Sequence, residues 1–207
     1  MDLQFYGANC VALSYKGART VIDDNLADLG AKSIIKAGDV ALFTGPHGGA
    51  EAARLTFSSP GEYEVADVSI IGIPARAHID EPGTTNATMF KFVHGGLTVL
   101  VTGHIYPELS EAQLEAIGMV DVLVVPVGGN GYTVDPIGAL KLIKAIEPKI
   151  VVPTHYADKD LTFVVPQQDL SNALKEMSME PKEAVPKLRL KPNELSDVTQ
   201  LVVLEKS

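Results

Sequence analysis

The chain has 207 residues, 46% of them apolar and 21% charged, with a formal net charge of −9. That composition suits one globular domain over residues 1–207 with a sizeable core, and excludes a disordered or fibrous chain. The acidic balance, with its one modest basic cluster at Lys182, Lys187, Arg189 and Lys191 near the end, disfavours a nucleic-acid partner, because phosphate binding needs cations that displace counterions.

The first half reads as strands and turns. Leu3 to Tyr6, Cys10 to Tyr15 and Thr20 to Ile22 are short β-rich runs, the last two joined by the turn Lys16-Gly17-Ala18-Arg19. The single cysteine, Cys10, lies in apolar surroundings and reads as a small buried hydrophobe rather than a nucleophile. With one cysteine no disulfide within the chain is possible, which fits a reducing compartment. Val40 to Phe43 is continuously apolar, as in a strand buried on both faces. Glu62 to Val65 and Val68 to Ile73 flank Ala66-Asp67, and Met89 to Val93 and Leu97 to Thr102 flank His94-Gly95-Gly96; both read as hairpins.

The rhythm then changes. Ser110 is a good N-cap for a helix over 111–117 that stops at Gly118, and Val122 to Val125 is a buried-type strand. Asp135 and Pro136 open a second helix, with Ile137, Leu140, Ile143 and Ile146 at helical spacing and Pro148 beyond its end. Ile150 to Val152, a helix over 169–177 and a strand over 199–204 complete the pattern, a mixed α/β layer architecture. No apolar run approaches the ~20 residues that span a bilayer, and Met1 to Tyr6 lacks the pattern of a signal peptide. The expectation is a soluble, cytoplasmic protein with no membrane partner.

After Val40 to Phe43, where a strand would hand over to a helix, stands Thr44-Gly45-Pro46-His47-Gly48-Gly49-Ala50. It resembles the metal-binding turn of the metallo-β-lactamase superfamily, Thr-His-x-His-x-Asp-His, with only His47 kept. Further matches follow in order: Gly61 to Val65, Gly72-Ile73-Pro74 with His78 and Asp80, Asn86, Thr102-Gly103-His104, Val120 to Gly129, and Pro148 to Tyr156. This ordered set resembles the branch of small metal-dependent hydrolases that includes L-ascorbate-6-phosphate lactonase. The resemblance implies a four-layered αββα sandwich with the site at one edge.

Such relatives hold two metals. Carried over, the first-metal ligands become Gly45, His47 and His78. For the second metal, Gly49 and Ala50 replace Asp and His while His155 is kept, and the bridging Asp falls at His104. Glycine and alanine offer no side-chain donor, so a two-metal site is not expected. A three-histidine site with an open water position is a known zinc arrangement. The expectation is therefore at most one zinc or manganese ion on His47, His78 and His104, with no metal as the alternative. His155 or Asp80 would assist proton transfer in hydrolysis of an ester, lactone or phosphoester of a small metabolite. The rival reading is a non-catalytic ligand-binding or assembly protein; a homo-oligomer stays open in both.

Other features read as structural. Asp23 is taken as a hydrogen-bonding residue, Glu62 as a strand residue and His94 as a turn residue, while Tyr132 and Tyr156 are expected to line the cleft. The glycine-rich stretch Pro126 to Tyr132 could hold an anion on backbone N–H groups, yet lacks the Lys-Ser/Thr ending of a nucleotide-binding loop.

Overall fold

The computed structural model describes residues 1–207 except Gly48, and for Asn193 the backbone only. Two mixed sheets face each other. The first runs, edge to edge, through β13 (Leu188–Arg189), β1 (Asp2–Gly7), β2 (Cys10–Tyr15), β3 (Ala18–Ile22), β4 (Val40–Leu42) and β5 (Leu55–Phe57). The second runs through β12 (Pro181–Val185), β14 (Gln200–Leu204), β11 (Ile150–Thr154), β10 (Val122–Pro126), β9 (Leu97–Val101), β8 (Ala87–His94), β7 (Val68–Ala75) and β6 (Gly61–Val65). Strands β6 to β9 pair antiparallel, as the two hairpin patterns require, and β9, β10, β11, β14 and β12 pair parallel.

The two-residue period of a strand sorts the side chains. Leu3, Phe5, Val11 and Leu13 of the first sheet meet Phe90, Phe92, Val122, Val124 and Val152 of the second in the core between them. The alternate residues Leu123, Val125 and Val151 turn to the second sheet's outer face, under α1 (Glu111–Ile117), α2 (Pro136–Ile146) and α3 (Leu170–Glu176). Strands buried on both faces explain the unbroken apolar runs. Removing one such side chain from water contributes roughly 1.5–3 kcal/mol.

The helix ends form as their caps dictate. Ser110 and Gln113 make a reciprocal capping box at α1, and the Asp135 carboxylate accepts from Gly138 N at 2.6 Å with Pro136 in the first turn of α2. The buried stripe of α2 differs from the expected one. Ile137 is 51% exposed, and the helix instead buries Ala139, Leu142, Ile143 and Ile146.

The first sheet's outer face is covered differently. Cys10, Ala12 and Val21 lie under Leu26 of a single 3-10 turn (Leu26–Leu29), Leu161, and loop residues including Ile34, Ile35 and Phe163. Among the described residues no α-helix packs there, so this fourth layer is one turn and loops. Among the described residues no helix follows Phe43 as expected, and the next element is β5, which pairs parallel with β4. Strands β5 and β12 escaped the sequence reading because both are edges: Leu55 is 44% exposed, and β12 starts on Pro181 and carries Lys182 and Glu183. Among the described residues no helix is long and apolar enough to cross a membrane.

Candidate functional site

The chemistry-bearing residues stand just after strand ends. Asp23 follows β3, Thr44 follows β4, His78 follows β7, His104 follows β9 and His155 follows β11. Crevices outside the carboxyl ends of strands are where open α/β sheets hold ligands. Here they form one cleft with two lobes. The larger, of roughly 410 Å³, is lined by Thr44, Gly45, His78, Asp80 and Asn86, among others. The smaller, of roughly 180 Å³, is lined by Asn9, Asp28, His155, Phe163, Val164 and Gln167, among others. Asp23, Asn25, Pro46, His104 and Tyr132 line both.

At the floor, the Asp23 carboxylate accepts from Thr44 N and Thr44 Oγ1, both at 2.7 Å. Burial pushes its pKa up to about 6, although the Thr44 bonds pull the other way. Gly103 has φ +63°, and a Cβ there would lie 2.0 Å from Thr44 Oγ1, so only glycine lets the chain before His104 close on this pair. His104 sets its Nδ1 2.6 Å from Thr133 Oγ1; burial first, and then His78, hold its pKa down to about 4.

His155 is 4% exposed and has a left-handed backbone, φ 51°, pinned by its N–H donating to Ala8 O at 2.7 Å. Its ring stands edge-on to His104 with centroids 4.4 Å apart. Burial, and then His104, keep its pKa well below the usual imidazole value, and neither ring nitrogen has a partner. Gly128 permits this approach: a Cβ there would lie 2.0 Å from His155 O and 2.3 Å from Gln167 Oε1.

The cleft thus gathers His78, His104, His155 and Asp80. It does not gather His47, which is exposed and stacks on Phe43 at 4.0 Å and 13°, outside the residues lining either lobe. His78 donates its backbone N–H to His104 O at 2.7 Å. Asp80 Oδ2 accepts from Asn86 Nδ2 at 2.9 Å and Thr84 Oγ1 at 3.3 Å rather than pairing with His78. Among the described residues, no three His, Cys, Asp or Glu side chains are grouped so that they could hold a metal ion. With His47 stacked on Phe43 outside both lobes, the described residues do not bring His47, His78 and His104 into one centre, and Gly45, Gly49 and Ala50 offer no side-chain donor for a second metal.

Two smaller expectations need correcting. Tyr132 lines the cleft, but Tyr156 packs against Phe5 at 5.6 Å in the core. In the glycine-rich loop, Gly129 N–H donates to Val134 O at 3.1 Å and Tyr132 N–H to Gly129 O at 3.4 Å, and of residues 126–132 Tyr132 is the one among those lining the two lobes. Asp23 is a hydrogen-bonded residue, as read. Asn9, Asn25 and Gln167 went unnoticed in the sequence. All three lie in loops, and the only signal was Asn9, a polar residue beside an apolar strand.

The geometry agrees with comparison to known proteins. A protein of Thermotoga maritima described as a candidate Zn-dependent hydrolase of the metallo-beta-lactamase superfamily superposes with a TM-score of 0.74 at 27% identity, covering 99% of this chain and 98% of that one. Igni18, a metallo hydrolase from Ignicoccus hospitalis, shares the fold with a TM-score of 0.60 at 17% identity, covering 92% and 99%. A UPF0173 metal-dependent hydrolase of Thermoplasma acidophilum is 41% identical over 58 residues, 27% of this chain and 25% of that protein. A UPF0173 metal-dependent hydrolase of Carboxydothermus hydrogenoformans is 40% identical over 71 residues, 34% and 31% of the two chains. The chain therefore matches only a quarter to a third of the length of these curated relatives. The family described as the beta-lactamase superfamily domain matches residues 2–155, most of the chain. With two mixed sheets in the order described, the chain belongs to this superfamily and has the metallo-β-lactamase fold.

Proposed function

We propose that this protein is a ligand-binding member of the superfamily, with the cleft of its hydrolase relatives but without their two-metal centre. One observation carries the reading: among the described residues the donor side chains of the cleft do not converge in threes, and Gly45, Gly49 and Ala50 stand where the resemblance puts three ligands. What the cleft offers instead is buried hydrogen-bonding chemistry. His104 and His155 are imidazoles kept neutral by burial, and Asn9 and Gln167 are buried amides beside them. Such a wall binds, orients and dries a small molecule; it supplies no hydroxide.

A second reading keeps a specific support. The two unpartnered ring nitrogens of His155, beside His104, favour a hydrolase with one zinc or manganese acting on an ester, lactone or phosphoester. Its ligand set of His47, His78 and His104 requires His47 to leave the Phe43 ring. An ion bound there would lower the pKa of its water.

Elemental analysis of tag-free protein dialysed against trace zinc or manganese, with melting curves in chelator, separates the two. The expected result is no stoichiometric metal and equal melting temperatures, since an ion bound to the native state would raise them. About one equivalent, lost in His104→Ala, would overturn the proposal in favour of the one-metal hydrolase.

A further inference from the structure

We infer that the smaller lobe takes a small, uncharged, polyhydroxylated ligand, a sugar or polyol without phosphate or carboxylate, held by Asn9, His155 and Gln167. The inference rests on the ligand-binding reading and gives it a chemical class.

Among the described residues that line this lobe, the buried polar atoms without a partner are Asn9 Nδ2, Asn25 Oδ1, Gln167 Oε1 and both ring nitrogens of His155, all lying just beneath its surface. Buried polar groups in native proteins are nearly always paired, so an orphaned set around one cavity calls for a partner there. The amide orientations are fixed by their other ends. Asn9 Oδ1 accepts from Thr154 Oγ1 at 2.9 Å, which makes the free Asn9 atom a donor. Gln167 Nε2 donates to Val165 O at 2.6 Å, which makes its free atom an acceptor. A neutral imidazole adds one donor and one acceptor. The wall therefore asks for groups that both give and accept hydrogen bonds. Hydroxyls do so, whereas a carboxylate or phosphate only accepts.

Charge points the same way. No Lys or Arg is among the residues lining either lobe, while Asp23, Asp28 and Asp80 are. An anion in the smaller lobe would face Asp23 and Asp28, with no Lys or Arg among the residues lining it. For a cation the smaller lobe offers little more: both Asp23 oxygens are engaged by Thr44, and Asp28, the other carboxylate lining it, is exposed rather than buried beside the orphaned atoms. Phe163, with its ring 5.1 Å from that of His155, gives the C–H face of a sugar an apolar neighbour.

The test is a thermal-shift and calorimetric panel on the full chain: D-ribose, D-glucose and myo-inositol, their monophosphates, and glucosamine, at constant ionic strength. At least one neutral compound is expected to raise the melting temperature and to bind at least tenfold more tightly than its phosphate. Gln167→Met should weaken that binding about tenfold. Because an altered buried residue can disturb folding, a second variant acts at the rim: Val164, 86% exposed, changed to Lys. Val164→Lys should admit the phosphates that the parent protein rejects. Phosphates or glucosamine binding the parent protein more tightly than the neutral sugars would overturn the chemical class and leave the ligand-binding reading standing. Binding of none of them would overturn the inference itself, and the metal analysis would then decide whether the broader reading falls with it.

Discussion

Asp23 combines full burial with two hydrogen bonds from one threonine, and the balance can be measured. Its folded pKa is raised from 3.8 to about 6, so the native state favours the protonated acid. The associated stability is fully present below pH 3.8 and is lost as the pH rises through 6. A shift of roughly two units corresponds to about 3 kcal/mol. Urea unfolding across this window should show the parent protein losing about that much stability relative to Asp23→Asn; parallel curves would refute the burial argument. How the site could be read from sequence also turns on single residues. His78, His104 and His155 follow regular strands, so the ordered resemblance located them on the cleft. His47 follows the same logic on paper, yet among the described residues no helix follows it, and its ring stacks on Phe43. Asn9 and Gln167 belong to loops without periodicity, where only the fold reveals that they face one lobe.

At the scale of elements, hydrophobic pattern and end chemistry carried the reading well. The hairpin strands, the capped starts of α1 and α2 and the buried central strands all lie where the sequence suggests. What pattern did not settle was rotation and edges. Several apolar stripes fit α2, and the choice fell to packing: Leu142 is fully buried while Ile137 is 51% exposed. Leu142→Ala is therefore expected to cost about 2–5 kcal/mol, and Ile137→Ala under about 0.5 kcal/mol, by chemical denaturation. Equal losses would mean the helix is turned the other way. The edge strands β5 and β12 were missed for a physical reason: an edge has only one neighbour and is protected by charge or proline rather than marked by apolar alternation.

At the scale of the molecule, the core between the sheets draws side chains from both, so neither sheet has a complete interior alone. Thermal unfolding should accordingly be one transition, with backbone circular dichroism and the tyrosine near-ultraviolet signal coinciding; two separated midpoints would show the sheets to be independent. The cleft inherits this unity, because loops from both sheets enclose it. Its two lobes share one partition, built from His104, Tyr132, Asp23, Asn25 and Pro46. Two small guests can thus be neighbours across a common wall, and a guest that turns the His104 ring reshapes the adjoining room. Thermodynamic reciprocity then binds the two lobes together: by whatever factor the first occupant changes the welcome given to the second, the second changes that given to the first.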